Sequence, residues 1–299
     1  MPVPSPVTVR VPAKVNLHLG VGPRRPDGYH DLQTVFQALS IYDEVTAYPA
    51  PGLTVMVKGQ DADEVPVDST NLALRAAALL AERTGVDAAA RIGIRKEIPV
   101  AGGMAGGSAD AAAALVACDA LWGTGLSRAQ LAELAAELGS DVPFCLQGGC
   151  ALGTGRGQVL TPVLARGSFH WVVAIAATGL STPEVYAEID RRRGPGAEAT
   201  PPDEVLAALR LGDAKRLGAA LHNDLEPAAI GLRPALRATL DAGRELGALG
   251  AMVSGSGPTC VFLARSHAAA IRIAAALTAE AVCKTTRVAE GPVPGPRVG

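Results

Sequence analysis

The chain has 299 residues, of which 48% are hydrophobic, and it carries a formal net charge of -2 at pH 7. This is enough apolar material for one large or two ordinary domains, while the near-neutral charge offers nothing to attract nucleic acid or an anionic membrane surface. Aromatic residues make up only 3%, which disfavours binding of single strands by base stacking.

The five cysteines are widely spaced in apolar contexts and include no C-x-x-C pair. We expect buried thiols rather than disulfides or zinc ligands, in a reducing compartment. The amino end lacks the pattern of a signal peptide, and no uncharged apolar run reaches the roughly 20 residues of a membrane span. We therefore expect a cytoplasmic protein without a membrane or nucleic-acid partner.

In the first half, alternating apolar residues predict a strand at 7–11, whose period-two pattern continues at 15–19 after Pro12. Further strands are predicted at 34–39, 44–48, 53–57 and 91–95. A loop rich in proline and glycine is expected at 20–28. A helix should begin at Ser69-Thr70-Asn71 and end at Gly85. After a glycine-rich turn, helices are predicted at 109–122 and 127–138.

The second half begins with another glycine-rich stretch at 148–157 and an apolar strand at 169–177. The best candidate for a linker is 193–202, which is rich in Gly, Pro and Ala. Helices are predicted near 202–211, 213–221, 234–246 and 268–281, and strands at 251–254, 259–263 and 284–289. The absence of a regular β-α repeat favours an α+β fold in two parts, with a boundary near 160–170.

The segment Pro99-Val-Ala-Gly-Gly-Met-Ala-Gly-Gly-Ser-Ala-Asp110 joins a predicted strand to an Ala-rich helix. Glycines let the backbone approach a ligand, and the free N–H groups at a helix start favour an anion. A flexible connection would have the same composition. A Walker loop is excluded because no lysine adjoins Ser108, and the dinucleotide pattern G-x-G-x-x-G does not occur.

Two charged residues are candidates for chemistry. Lys14 lies in a strand-like apolar run, where a solvated edge charge is the ordinary interpretation. Asp141 follows a predicted helix end and precedes Pro143, where a turn-forming role is usual. Ser108 is likewise explained as a helix N-cap, a role that is compatible with metal ligation.

The loop resembles the ATP loop of the GHMP kinases, which include galactokinase, homoserine kinase and mevalonate kinase. That resemblance implies an α+β, two-domain fold, with a ribosomal protein S5 domain 2-like N-terminal domain (1–165) and a ferredoxin-like C-terminal domain (166–299). It implies ATP and Mg²⁺ as cofactors, Lys14 and Asp141 as the catalytic pair, and Ser108 as a metal ligand. The turn at 253–259 matches a further motif of the family. The implied ATP-binding residues are Asn71, Lys96, Pro99, Val100, Ala101, Gly102, Gly103, Met104, Ala105, Gly106, Gly107, Ser108 and Ala109.

Segments 13–17, 27–36 and 138–144 resemble one branch of these kinases, whose members phosphorylate a cytidine diphosphate derivative in the non-mevalonate route to isoprenoid precursors. The resemblance implies that Tyr29 and Tyr186 stack on the cytosine ring and that His30 bonds its edge. Asn16 and Thr182 would bind near the diphosphate or the sugar alcohol. The oligomeric state is left open.

The sequence departs from the family pattern at two positions, and two alternative functions stay open. Ala105 and Ala109 stand where many relatives have glycine and serine, which removes one hydroxyl near the phosphates. A different kinase of the superfamily would not need the pocket of Tyr29 and His30. A non-catalytic nucleotide sensor would not need the pair of Lys14 and Asp141.

Overall fold

The structure is a computed structural model and describes residues 5–100, 102–193 and 197–299. The strands are β1 (Val7–Arg24), β2 (His30–Pro49), β3 (Thr54–Gly59), β4 (Ala90–Lys96), β5 (Cys150–Thr154), β6 (Val159–Pro162), β7 (Phe169–Ile175), β8 (His222–Asn223), β9 (Gly250–Val253), β10 (Cys260–Ala264), β11 (Thr285–Gly291) and β12 (Arg297–Val298). The helices are α1 (Leu72–Thr84), α2 (Gly106–Trp122), α3 (Arg128–Leu138), α4 (Val142–Gln147), α5 (Thr182–Arg193), α6 (Asp203–Leu211), α7 (Ala214–Ala220), α8 (Glu226–Leu232), α9 (Ala235–Glu245) and α10 (His267–Ala279).

The first sheet is built on one long antiparallel hairpin of β1 and β2, and its strand order is β12-β1-β2-β4-β3, with β5, β6 and β8 attached. The alternating pattern at 7–11 and its continuation at 15–19 lie in one strand, β1, and the loop expected at 20–28 is wrong for 20–24. Register shifts after Pro12 and after Asn16 let β1 continue through positions that look like breaks in the sequence. Likewise, the strands expected at 34–39 and 44–48 join in β2.

The helices predicted in the first half are confirmed where capping residues mark their ends. The side chain of Asn71 accepts hydrogen bonds from the first turn of α1, and Gly85 ends that helix with a φ of 72°. Ser127 forms a capping box with Gln130 at the start of α3. Helix α2 begins at Gly106, earlier than expected, and buries its Ala-rich surface against β1 and β2.

The second sheet is antiparallel, with the order β11-β7-β10-β9. This order and the position of α10 between β10 and β11 agree with a ferredoxin-like arrangement, as the resemblance implied. The predicted strands of this part are confirmed to within a few residues. Helices α4, α5 and α8 were not predicted from the sequence. Because α5 reaches Arg193, the linker expected at 193–202 overlaps it by one residue, and residues 194–196 lie outside the described part of the chain.

The two sheets contribute side chains to one hydrophobic core. The largest hydrophobic core joins α1, α2 and the first sheet to Trp171, Val173 and Val261 of the second. The indole N–H of Trp171 donates to Oε1 of Gln37 at 2.9 Å, which ties β7 to β2 through buried polar atoms. The division into 1–165 and 166–299 stays a prediction.

The five cysteines are all free thiols, four of them buried, as expected. Burial raises the pKa of the Cys145 and Cys260 thiols far above the usual value, which makes both unreactive at neutral pH. Among the residues that the structure describes, no helix is both long and apolar enough to cross a membrane.

Candidate functional site

Two adjoining cavities lie between the phosphate-loop candidate, the β1–β2 hairpin and the start of α5. The first has a volume of about 430 Å³ and the second about 450 Å³. Both are lined by Ser108, Asp141, Thr182 and Tyr186, so the two spaces meet at these side chains. A pair of joined cavities of this kind can hold two substrates with their reacting ends together.

The glycine-rich loop forms one wall of the first cavity. Gly103 has a φ of 70°, and a Cβ atom there would lie 2.4 Å from the backbone oxygen of Ser254, so only glycine fits against the turn at 255–258. The hydroxyl of Ser254 donates to the Gly103 carbonyl at 3.2 Å. The loop residues that line the cavity are Pro99, Val100, Gly102, Gly103, Ala105, Gly106, Gly107 and Ser108.

The remaining ATP-binding candidates are placed differently. Met104 and Ala109 are fully buried behind the loop, where they pack in the core. Ala101 lies outside the described residues. The side chain of Asn71 is occupied as the N-cap of α1 and donates to the Pro66 carbonyl at 2.7 Å, while its neighbour Leu72 lines the cavity. Asn71 thus positions the helix beside the cavity, and its contact with nucleotide stays a prediction.

Lys96 lines the first cavity, but its ammonium group already has two partners. Nζ lies 2.5 Å from Asp43 and 2.7 Å from Asp110, and all three side chains are at most 4% exposed. The other oxygen of Asp43 accepts from the backbone N–H groups of Glu97 and Ile98. The cluster therefore fastens both flanks of the loop, the end of β4 and the first turns of α2, to β2.

One carboxylate oxygen of the same cluster has no hydrogen-bond partner among the described residues. This atom is Oδ1 of Asp110, which is buried, and Asp110 lines the first cavity close in sequence to Ser108. Burial raises the pKa of Asp110, with Asp43 adding to the rise and Lys96 opposing it. A hydroxyl and a carboxylate oxygen are ligands that Mg²⁺ accepts, so these residues fit a divalent cation.

Lys14 and Asp141 meet where the two cavities join. Nζ of Lys14 is 3.3 Å from Oδ2 of Asp141 and donates to Oδ1 of Asn16 at 2.8 Å. The amide of Asn16 in turn donates to the hydroxyl of Thr34, which donates to a carbonyl of β1. Lys14 is thus a buried strand residue with fixed partners, and the alternative of a solvated edge charge is wrong. Asp141 makes no side-chain cap to α4 and its carboxylate faces both cavities.

Tyr29, His30 and Tyr186 all line the second cavity. The rings of His30 and Tyr186 are 5.0 Å apart, whereas Tyr29 is 54% exposed at the rim. Thr182 lines both cavities, and its hydroxyl is 2.7 Å from that of Ser256, which joins the start of α5 to the turn at 255–258. Asn16 lines the first cavity only.

Three residues of the site were missed from sequence, and a fourth, Asp110, stood at the end of the glycine-rich segment without an assigned role. Asp43 and Asp110 flank Lys96, Asp190 bonds His30 at 2.8 Å, and the guanidinium of Arg156 lies 4.6 Å from the centre of the Tyr29 ring. A buried acid inside a strand was the only signal for Asp43. Asp190 and Arg156 carried no local pattern that separated them from surface charges.

The chain matches two profiles, "GHMP kinases N terminal domain" over residues 71–149 and "GHMP kinases C terminal" over residues 205–283. Proteins named 4-diphosphocytidyl-2-C-methyl-D-erythritol kinase are similar over nearly all of it. Those of Salinispora tropica and Thermobifida fusca are 61% and 59% identical, covering 99% and 100% of this chain and 95% and 100% of theirs.

Solved structures give the same result. The crystal structure of a 4-(cytidine 5'-diphospho)-2C-methyl-D-erythritol kinase is 35% identical, with a TM-score of 0.78 over 95% of this chain and 98% of that one. A homoserine kinase from Cytophaga hutchinsonii, 21% identical with a TM-score of 0.77 over 100% of this chain and 99% of that one, shares the fold. The α+β fold expected from the resemblance is confirmed. The chain belongs to the GHMP kinases and, within them, to the 4-diphosphocytidyl-2-C-methyl-D-erythritol kinase family.

Proposed function

We propose that this chain transfers the γ-phosphoryl group of ATP to the 2-hydroxyl of 4-diphosphocytidyl-2-C-methyl-D-erythritol, a step of the non-mevalonate route to isoprenoid precursors. The observation that carries the proposal is the position of Lys14 and Asp141 between a glycine-lined cavity and a cavity lined by His30 and two tyrosines. Phosphoryl transfer requires a nucleotide and an acceptor that meet at such a charged pair.

In this proposal Asp141 accepts the proton of the attacking hydroxyl. Its carboxylate faces both cavities, so it can reach an acceptor in one while the phosphates occupy the other. Lys14 is held by Asn16 and Asp141, and its ammonium stabilises the negative charge that develops between the acceptor oxygen and the phosphoryl group. Because its partners are fixed before substrate binds, little reorganisation is needed at the moment of reaction.

The glycine loop supplies backbone N–H groups and the start of α2 to the phosphates. Ser108 and the free Oδ1 of Asp110 are the residues that would hold Mg²⁺. When bound, that cation would neutralise charge on the β- and γ-phosphates. Lys96 acts on the nucleotide through the loop that it fastens, since both of its strong partners are carboxylates of the protein.

The second cavity suits a pyrimidine. Tyr29 and Tyr186 offer aromatic rings, and His30, whose ring packs against that of Tyr186, offers polar ring atoms. Thr182 lines both cavities and Asn16 lines the first, which supports contacts of both residues with a diphosphate or a sugar alcohol that extends from this pocket toward the glycine loop.

The test is formation of ADP by the purified protein with ATP and Mg²⁺, with and without the cytidine substrate, followed by ³¹P NMR to locate the new phosphate. We expect ADP only with that acceptor and a phosphomonoester on the 2-hydroxyl. Homoserine and mevalonate serve as control acceptors that should give no ADP above background. ADP formation with either control acceptor but not with the cytidine compound would contradict the proposal.

A further inference from the structure

The ring of His30 is held from two sides by one face of α5. Tyr186 lies 5.0 Å away between ring centroids with an angle of 32° between the planes, and Oδ1 of Asp190 is 2.8 Å from Nε2 of His30. Tyr186 and Asp190 are four residues apart on the helix, so both side chains project from the same face. His30 is 6% exposed, and this packing leaves its ring little freedom to turn.

The contact with Asp190 decides which ring nitrogen carries the proton. An ionised carboxylate only accepts hydrogen bonds, so the 2.8 Å contact places a proton on Nε2. In a neutral imidazole, the other nitrogen then carries a lone pair and accepts. Among the described residues the ring has no further hydrogen-bond partner, and His30 lines the second cavity. Nδ1 is therefore the atom left for a ligand.

We propose that Asp190 is a positioning residue that fixes His30 as the Nε2–H tautomer, so that Nδ1 accepts a hydrogen bond from the exocyclic amino group of cytosine and the pocket rejects uracil. This inference rests on the proposed function, in which His30 bonds the base edge. Cytosine presents an N4 amino donor where uracil presents an oxygen acceptor. Two acceptors facing each other in a closed pocket would both lose their hydrogen bonds, which disfavours uracil by about 10- to 100-fold.

The test compares the wild type with Asp190→Asn. The neutral amide no longer imposes a proton on Nε2, because it can donate to that nitrogen as well as accept from it, so the ring is free to carry its proton on Nδ1 and present a donor to the base. We expect the wild type to bind CMP more tightly than UMP, as measured by calorimetry. In Asp190→Asn this preference should fall by about 10-fold or more, because the affinity for CMP decreases and the affinity for UMP does not. Glu184→Gln is the matched control, since Glu184 is an exposed acid on the same helix. It should keep the wild-type ratio.

The tautomer itself is measured by ¹⁵N NMR of histidine-labelled protein, in which His30→Gln identifies the signal among five histidines. The wild type should show a protonated Nε2 and an unprotonated Nδ1. An imidazolium signal, or a CMP-to-UMP ratio in Asp190→Asn within twofold of the wild type, would overturn this inference while leaving the kinase proposal intact. Equal loss of both nucleotides would assign Asp190 a merely structural role and also overturn it. A wild type that binds CMP no better than UMP would contradict the cytosine pocket itself.

Discussion

Nζ of Lys14 lies 3.3 Å from Oδ2 of Asp141, and a second contact of 2.8 Å to Asn16 holds the ammonium in place. This pair joins strand β1 to the start of α4. In the proposed reaction the carboxylate of Asp141 accepts the proton of the acceptor hydroxyl, and the ammonium of Lys14 stabilises the negative charge that develops. The pair is therefore the part of the site on which the kinase account depends most.

Replacement of Lys14 by Met should lower kcat by about 10²- to 10³-fold, because the charge that develops during transfer loses its fixed cation. The affinity for ATP, measured by fluorescence titration, should change much less, since the loop at 99–108 is untouched. Lys58→Met on the exposed edge of β3 is the control and should be active. Full activity of Lys14→Met would show that its ammonium has no part in transfer.

The cluster of Lys96, Asp43 and Asp110 should be important for stability. Lys96→Met leaves two buried carboxylates without their cation, and we expect the free energy of unfolding to fall by about 3–5 kcal/mol. Urea denaturation measures the change, and Lys58→Met should shift it by less than about 0.5 kcal/mol. A Lys96→Met protein as stable as the wild type would mean that the cluster does not fasten the loop.

Ala105 has a φ of 58°, a conformation that disfavours residues with a Cβ atom, at the N-cap of α2. Ala105→Gly should raise the free energy of unfolding by about 0.5–1 kcal/mol, because relief of strain exceeds the added flexibility of the unfolded chain. Ala105→Val should lower it by more than about 1 kcal/mol, since β-branched residues tolerate this region poorly. Thermal denaturation of both variants checks the opposite signs, and a stabilising Val would contradict the local conformation.

Asp224 should make the free energy of unfolding depend on pH in the acidic range. Although burial opposes it, hydrogen bonds from His222, Arg193 and the N–H of Val21 hold the pKa of this carboxyl far below its usual value. A lowered pKa stabilises the fold at pH values above the unfolded pKa of about 3.9, and that contribution is lost as pH falls toward the folded pKa.

Asp224→Asn should therefore lower the free energy of unfolding at pH 7 by about 1–3 kcal/mol. The difference in free energy of unfolding between variant and wild type should become smaller below about pH 4, where protonation of Asp224 removes its stabilising contribution in the wild type. Urea denaturation at several pH values measures both. A difference that stays constant from pH 7 to pH 3 would show that the charge of Asp224 does not contribute.

The sequence predicted those elements whose ends carry a local chemical signal. Helices α1 and α3 have Asn71 and Ser127 as caps, and both were placed to within two residues. The extension of β1 through residues 20–24 was missed, since it depends on pairing with β2 rather than on a local signal. Short helices such as α4 depend on packing rather than on periodicity.

For the site, the residues of the glycine loop line the first cavity and Lys14 contacts Asp141, while the roles predicted for them stay predictions. Asp190 could not have been found from a sequence motif. It lies one residue before the triplet that ends α5, Arg191 to Arg193, where an acid is typical of a solvated face. Only the folded chain brings it to His30, 160 positions away in sequence.

The most direct test of the central claim is the turnover of Asp141→Asn with ATP and the cytidine substrate. The amide keeps the size of the side chain but cannot take a proton, so kcat should fall by about 10²- to 10⁴-fold while ATP binding stays near the wild-type value. Asp203→Asn, an exposed acid on α6, should retain wild-type turnover. Wild-type turnover in Asp141→Asn would contradict the role of this carboxylate as proton acceptor and with it the account of the site.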